Sequence, residues 1–401
     1  MPQRIRVRSL LLAVLLPCVS CERQPPMGPE ANRLLPGFTA SELGGPLPGL
    51  TLDQRALFER GRGAFQTEFT PLTGLGPLFN NNACSQCHEA PVVAGSGEEV
   101  ETHATAFRGG TCDDLSAIGG PVIQDSMTPL LHAALPGIEK EPVPTAATAI
   151  GHRTTPSLLG FGLLEAVPDA EILGLGQLNN RSGDGISGRP NRTADGRLGR
   201  FGRKAQVATL SEFNAGAFIN EMGITSPTQL AEQTIGGNPL PPGVDPAPDP
   251  ELPQDVVDAT TAFVQFLAPP APLPRTPVER QGFVTFLQLR CSACHAPVLV
   301  TGPNRVQALS LKVFQPYTDL LLHDMGPELA DICLGSATPA EFRTEPLMGL
   351  RFKTSFLHDG RATSLEQAIE AHGGEASNAR SRFRALTPLQ RFALLRFLQG
   401  L

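Results

Sequence analysis

Two copies of one motif decide how this chain is interpreted: Cys84-Ser85-Gln86-Cys87-His88 and Cys291-Ser292-Ala293-Cys294-His295. Two thiols at this spacing can add to the two vinyl groups of one porphyrin, and the adjacent His can then reach the iron as an axial ligand. A redox dithiol or half of a zinc site is the alternative, but the immediate His in both copies favours haem. We therefore predict two covalently bound c-type haems, attached through Cys84, Cys87, Cys291 and Cys294, with His88 and His295 as iron ligands.

The segments around the two motifs also resemble each other. Upstream, residues 60–65 (Arg-Gly-Arg-Gly-Ala-Phe) resemble residues 280–283 (Arg-Gln-Gly-Phe). Downstream, residues 153–156 (Arg-Thr-Thr-Pro) resemble residues 343–346 (Arg-Thr-Glu-Pro). The motif copies are 291 − 84 = 207 residues apart and the downstream segments 343 − 153 = 190, which are similar offsets. This pattern indicates an internal duplication and hence two haem modules.

The clear elements of secondary structure in the sequence are helices. Thr51, Thr276 and Thr387 each begin a capping-box pattern that precedes apolar residues at helical spacing. No run of alternating strand residues stands out. We expect a mainly α fold of two cytochrome c-like haem domains with long irregular loops. The N-terminal domain is predicted over residues 51–270 and the C-terminal domain over residues 271–401.

The N-terminus has the features of an export signal. Arg4, Arg6 and Arg8 precede an apolar run over residues 10–16, which is shorter than the ~20 residues that span a bilayer. Residues 18–21 (Cys-Val-Ser-Cys) resemble a bacterial lipobox, although Leu is usual at the first position; ordinary cleavage near Ser20 is the alternative. We predict a signal peptide over residues 1–20, lipidation of Cys21, a flexible linker over residues 21–50, and a periplasmic, membrane-anchored lipoprotein.

The composition limits the kinds of partner. The 401 residues include 32 Lys and Arg against 39 Asp and Glu, which gives a net charge of −7, and basic residues cluster only at the extreme N-terminus. This balance argues against a broad nucleic-acid-binding surface. There is no Trp and only one Tyr, whereas Gly and Pro number 41 and 39. Covalent haems would supply large apolar groups that the side chains lack.

One His stands out as a second iron ligand. Ser364 begins a capping-box pattern, and Leu365, Ala368, Ile369 and His372 then fall on one apolar face of a short helix. We predict that His372 is the second axial ligand of the C-terminal haem; a core His hydrogen-bonded to a carbonyl is the alternative. The competing ligands are Met325, Met348, His323, His358 and Tyr317. For the N-terminal haem, His103, His152 and an open iron site all remain consistent with the sequence.

Several further segments are specific to a known family. They are residues 74–80, 162–166, 184–189, 222–227, 319–326, 357–362 and 372–376. With the two haem motifs, they resemble the bacterial di-haem oxidoreductases, peroxidase-like proteins also called "thiol oxidoreductases", which are related to di-haem cytochrome c peroxidase. The resemblance extends from Phe65 to the C-terminus.

This resemblance implies an enzyme. An electron-donor protein or a small redox carrier would reduce the C-terminal haem, and hydrogen peroxide would be reduced at the N-terminal haem. Glu221, in an Asn-Glu-Met-Gly segment similar to that of the relatives, would be the catalytic acid and base; a surface or helix-cap carboxylate is the alternative. Members of the family commonly have Trp in the segments where this chain has Arg203 and Met348; if such a Trp carries electrons between the haems in relatives, that route is absent here. The alternative functions are a non-enzymatic electron-transfer cytochrome and a di-haem enzyme that oxidises a partner protein.

Two secondary sites remain. Cys112 and Cys333 are left over after the motif and lipobox cysteines, and they either form a disulfide between the halves or lie as two separate thiols. Asn180, Ser182, Asp184 and Asp195 form an acidic, Gly-rich stretch that could hold Ca²⁺, as the domain interface of the peroxidase relatives does; solvated loop carboxylates are the alternative.

Overall fold

Each half of the chain is built around a pair of crossed helices in the computed structural model, which describes residues 42–181 and 183–401 and only the backbone of Asn180 and Arg181. In the first half, helix α1 (Leu52–Phe65) packs against α7 (Gln254–Phe266), and in the second half α8 (Pro277–Gln288) packs against α11 (Pro388–Leu398). A glycine lies at each crossing. A Cβ atom on Gly61 would clash with the Ala259 carbonyl, and one on Gly282 with the Ala393 carbonyl. This shared glycine at the two helix crossings supports the duplication indicated by the sequence.

The helix starts follow local rules. Thr51, Thr276 and Thr387 each cap a helix through the side chain, with a reciprocal contact from the Gln or Glu at N3. These contacts satisfy backbone N–H groups that would otherwise lack partners. The three helix starts predicted from the sequence are confirmed. The remaining helices are α2 (Cys84–Cys87), α3 (Pro129–Ala134), α4 (Phe161–Glu165), α5 (Asp169–Arg181), α6 (Leu210–Met222), α9 (Leu365–Glu370) and α10 (Ser377–Arg384).

Strands form the second component of the fold. They are β1 (Leu78–Phe79), β2 (Val100–Arg108), β3 (Thr111–Asp113), β4 (Val122–Ile123), β5 (Ser126–Met127), β6 (Ala149–Thr154), β7 (Thr234–Ile235), β8 (Asn238–Pro239), β9 (Leu299–Val300), β10 (Val313–Phe314), β11 (Leu322–Asp324) and β12 (Glu341–Arg343). The largest sheet is antiparallel, with β2 pairing with β3, β4 and β6. Gly109 and Gly110, both at positive φ, form the tight turn between β2 and β3.

The expectation of a mainly α fold was wrong. Helices make up 33% and strands 15% of the structure, which is a mixed fold. The sheet was not predicted because the three residues in the middle of β2, from Ala104 to Ala106, are all buried and do not alternate between buried and exposed. Most other strands have two or three residues, which is too short for a period-2 pattern. The Gly109-Gly110 turn was the available signal.

The largest hydrophobic core draws on both predicted domains. It includes Phe58 and Phe263 from the first and Phe314 and Leu321 from the second. Cys112 and Cys333 form a disulfide across 221 residues, which decides between the two alternatives left by the sequence. The boundary between residues 270 and 271 stays a prediction. The predicted signal peptide, the Cys21 lipid site and most of the linker lie outside the described residues.

Candidate functional site

The first motif is wound into one helical turn. Helix α2 places Cys84 and Cys87 one turn apart, and the backbone N–H of His88 donates to the Cys84 carbonyl at 3.0 Å. Both thiols are free, and burial raises the pKa of each to about 12. The turn therefore presents two neutral thiols and an imidazole from five consecutive residues.

His88 is oriented as a metal ligand. Its Nδ1–H donates to the Gly95 carbonyl at 3.2 Å, and a proton on Nδ1 leaves the lone pair on Nε2. Burial lowers the pKa of His88 to about 4, so the ring is neutral at neutral pH. The Phe65 ring packs 5.8 Å away, centroid to centroid. A neutral His held by a carbonyl at Nδ1 is the usual arrangement of an imidazole ligand.

The second motif repeats this geometry. The N–H of His295 donates to the Cys291 carbonyl at 2.9 Å, and its Nδ1–H donates to the Tyr317 carbonyl at 3.1 Å. Burial, reinforced by His372, lowers the pKa of His295 to about 4. Cys291 and Cys294 are free thiols. The two motifs thus offer the same donor set and the same hydrogen bonds, the first in an α-helical turn and the second in a 3-10 turn.

A cavity of about 230 Å³ adjoins the second motif. Cys291, Cys294 and His295 line it together with His372 and apolar side chains such as Phe286. Helix α9, capped by Ser364 as predicted, ends at Glu370, and His372 follows within two residues. The Nδ1–H of His372 donates to the Ala368 carbonyl at 2.7 Å.

The separation of His295 and His372 suits a metal between them. Their ring centroids are 6.5 Å apart. With a metal–nitrogen bond of about 2 Å, each centroid lies roughly 3 Å from the metal, so two ligands span about 6 Å. The residues therefore fit a group that presents iron between two imidazoles.

The competing ligands for this site divide into two groups. Tyr317 and Met348 line a different, smaller cavity, and the Tyr317 hydroxyl contacts Arg275. Met325, His323 and His358 line the same cavity as His372. His323 is held on both ring nitrogens, by Asp319 at 2.8 Å and Glu375 at 2.7 Å. His372 is thus the candidate whose ring lies beside that of His295, with the ring centroids 6.5 Å apart.

The first motif is faced by carboxylates. Glu221, at the end of α6, accepts a hydrogen bond from the Asn80 amide at 2.7 Å. Burial, reinforced by the charge of Glu101, raises the pKa of Glu221 to about 8. Its backbone carbonyl accepts from the N–H groups of Asn80 and Asn81 at 2.7 and 3.3 Å, and the Asn81 amide contacts the Cys87 sulfur at 3.6 Å, which places Glu221 beside the motif. The carboxyl group can therefore hold a proton at neutral pH.

Strand β2 adds two residues to this site. His103 lies 3.2 Å from a carboxylate oxygen of Glu101, while His152, on the neighbouring strand β6, is exposed. Burial raises the pKa of Glu101 to about 7, and burial together with Arg153 lowers the pKa of His103 to about 4. Glu101 was not among the residues predicted from the sequence. Glu101 lies two residues before His103, which puts both side chains on the same face of β2. This signal could be used only if β2 was recognised as a strand.

The proposed calcium ligands are only partly described. The side chain of Asn180 and the whole of Ser182 lie outside the described residues. Asp184 pairs with Arg382 at 2.7 Å, and Asp195 pairs with Arg197 at 2.7 Å. Both carboxylates therefore already have cationic partners. Calcium at this stretch stays a prediction.

Among residues 42–181 and 183–401, the helices fall short of the length and apolar character needed to cross a bilayer.

A family profile described as "Di-haem oxidoreductase, putative peroxidase" matches residues 144–401, which include the second motif. A search of curated proteins found no match.

Solved structures of low identity also match. Hydrazine synthase of Kuenenia stuttgartiensis is 12% identical, with 90% of this chain and 96% of that chain covered and a TM-score of 0.41. The diheme peroxidase BthA of Burkholderia thailandensis E264 is 16% identical, with 92% and 94% covered and a TM-score of 0.41. A MauG-like protein associated with microbial copper homeostasis is 15% identical, with 91% and 94% covered and a TM-score of 0.40.

Proposed function

Since this chain belongs to the di-haem oxidoreductase family, we propose that it is an exported, peroxidase-like enzyme with two c-type haems. An external electron-donor protein or small redox carrier reduces the C-terminal haem, and hydrogen peroxide is reduced at the N-terminal haem. The expected location is the periplasm, with a lipid anchor at Cys21. The haems are attached through Cys84 and Cys87 and through Cys291 and Cys294.

The observation that carries the proposal is an asymmetry between the two motifs. His295 has a second imidazole, His372, across its cavity. The motif of His88 has instead the carboxyl group of Glu221 beside it, bonded to Asn80, while Asn81 links the Glu221 backbone to Cys87. A haem with two protein ligands transfers electrons, whereas one with an open position can bind a small oxidant. The asymmetry supports electron transfer at the second motif and chemistry at the first.

The protein's residues supply proton handling at this site. Reduction of one peroxide to two waters consumes two electrons and two protons, and the bound haem would provide the iron at which the electrons are delivered. Glu221 holds a proton at its carboxyl group because its pKa is raised to about 8. The Asn80 amide fixes the orientation of this group by donating to Oε2. Glu221 can thus donate this proton to the peroxide oxygen that leaves as water, and the carboxylate so formed can take up the proton of the other oxygen.

Optical spectra of the purified full-length protein, oxidised and half-reduced, test the proposal against an electron-transfer cytochrome. We expect a high-spin haem in at least one state and a spectral change on addition of peroxide. Two low-spin haems throughout, with no response to peroxide, would contradict the peroxidase function and favour the electron carrier. A response to peroxide without turnover of small donors would instead favour oxidation of a partner protein.

A further inference from the structure

Three cations surround one carboxylate in the wall of the cavity beside the second motif. Glu345 lies 2.8 Å from Arg203, 2.9 Å from Arg343 and 3.4 Å from Lys353. All four side chains line the cavity that Cys291, Cys294 and His295 also line. Arg203 precedes the other three by 140 residues or more (343 − 203 = 140), so the complete cluster exists only in the folded chain.

The charges of this cluster do not balance. Within the described part of the chain, no second carboxylate lies at ion-pair distance from Arg203, Arg343 or Lys353. Three positive charges therefore share one carboxylate at ion-pair distance, which is an excess of two within the cluster; Asp319 attracts Arg343 and Glu101 attracts Arg203 at longer range. The cations are not solvated in compensation, because the side chains of Arg343 and Arg203 are only 3% and 11% exposed.

The pKa values of Arg343, Lys353 and Glu345 are all lowered in this cluster. Burial lowers the pKa of Arg343 and of Lys353. Burial alone would raise the pKa of Glu345, but attraction to Arg203, Lys353 and Arg343 outweighs it and holds that pKa well below its usual range. A buried excess of positive charge is costly, so a cavity wall of this kind favours binding of anions.

We propose that Arg203, Arg343 and Lys353 bind the two propionate carboxylates of the C-terminal haem and raise its reduction potential. This inference rests on the proposed attachment of a haem at Cys291 and Cys294. Two carboxylates would bring the charge of the cluster to zero. The guanidinium groups suit this ligand because their planar donors match the two oxygens of a carboxylate.

The expected effect on the potential follows from Coulomb's law. Positive charge near the iron favours the reduced form, which carries one positive charge fewer. A unit charge about 10 Å away, at an effective dielectric constant of about 20, changes a one-electron equilibrium on the order of tenfold. Tenfold corresponds to about 59 mV. Removing one cation should therefore lower the midpoint potential by about this amount.

Potentiometric titration of the full-length protein, followed in the haem absorption bands, tests the inference. We expect Arg203→Gln and Lys353→Gln each to lower the midpoint potential of the low-spin haem by about 59 mV, which is a tenfold change in the one-electron equilibrium constant. Glu345→Gln should raise it, because this change removes a negative charge. General loosening of the cavity would move all three midpoints in the same direction. Arg197→Gln is the control, since Arg197 is half-exposed and pairs with Asp195 and Glu212 away from the cavity residues.

Resonance Raman spectra supply a second readout, because propionate bending bands respond to hydrogen bonds at the carboxylates. We expect these bands to shift in Arg203→Gln and Lys353→Gln, and not in Arg197→Gln. Unmoved midpoints, or moved midpoints with unshifted bands, would overturn the propionate contact. Loss of peroxide turnover is a separate outcome. If the wild-type protein reduces no peroxide but the midpoints and bands move as expected, the proposed activity fails and this inference stands.

Discussion

The imidazole rings of His295 and His372 lie 6.5 Å apart, centroid to centroid, on the wall of one cavity, each with Nδ1 bonded to a backbone carbonyl. Because both Nδ1 atoms are engaged, the Nε2 atoms of both rings are the ones available to a metal. One ring belongs to the second Cys-x-x-Cys-His motif, and the other lies 77 residues later (372 − 295 = 77), just after helix α9. This relationship distinguishes the second motif from the first and leads directly to a spectroscopic prediction.

Replacing His372 with Ala should remove one axial ligand from one haem. The bis-His low-spin signal of that haem is then lost and a high-spin signal replaces it, while both haems remain attached. Electron paramagnetic resonance and optical spectra of the oxidised protein measure the change. His132→Ala is a matched control, because His132 is half-exposed and pairs with the exposed Glu139. An unchanged spectrum in His372→Ala would return this His to a structural role.

Replacing Glu221 with Gln should slow peroxide turnover by about 100-fold or more, since general acid–base groups typically contribute 100- to 10,000-fold. Gln keeps the shape of the side chain and its contact with Asn80 but cannot accept and return a proton. Steady-state kinetics with a reduced donor measure the effect, and haem content should be unaltered. Glu212→Gln is the control on the same helix, because Glu212 is exposed and pairs with Arg197. Turnover equal to that of the control would remove the proposed role of Glu221.

The features that the sequence could predict are local ones. The haem motifs, the caps at Thr51, Thr276 and Thr387, and the helix before His372 each lie within a few consecutive residues, and short-range rules determine them. Strand β2 could not be predicted in this way, because its partners lie up to about 50 residues away and its middle is buried on both faces.

The missed parts of the site have the same cause. The charge of Glu101 raises the pKa of Glu221, which lies about 120 residues later in the sequence. The cluster around Glu345 brings Arg203 together with residues about 140 positions later. Charge pairs of this kind depend on how the chain folds back, and no sequence period encodes them. The substitution of Arg for the family's Trp at position 203 was visible in the sequence, but its partner Glu345 was not.

The pH dependence of stability should include a contribution from Glu141. This side chain is 1% exposed, and burial raises its pKa to about 7. The folded chain therefore binds this proton more tightly than the unfolded chain, whose carboxyl group has a pKa near 4.5. Stability from this group is present below about pH 4.5 and is lost as the pH rises towards 7. The loss is at most about 3–4 kcal/mol, at about 1.36 kcal/mol per pH unit.

A Glu141→Gln variant tests this dependence. Thermal unfolding at pH 5 and pH 8 should show the variant gaining on the wild-type protein as the pH rises, because Gln needs no proton to stay neutral. Glu139→Gln is the control, since the Glu139 side chain is 81% exposed. A difference between variant and wild type that is independent of pH would contradict the assignment of this proton to Glu141.

Removal of the Cys112–Cys333 disulfide should lower the free energy of unfolding by about 2–4 kcal/mol. The bond closes a loop of 221 residues, and a cross-link of this length restricts the unfolded chain more than a short one does. Thermal unfolding of the wild-type protein with and without a phosphine reductant measures the effect, because thioether bonds to haem resist such reagents. In a Cys112→Ser/Cys333→Ser double variant the reductant should have no further effect. A wild-type melting temperature that does not respond to the reductant, in protein shown by thiol titration to be reduced, would mean that packing alone holds β3 against the segment around Cys333.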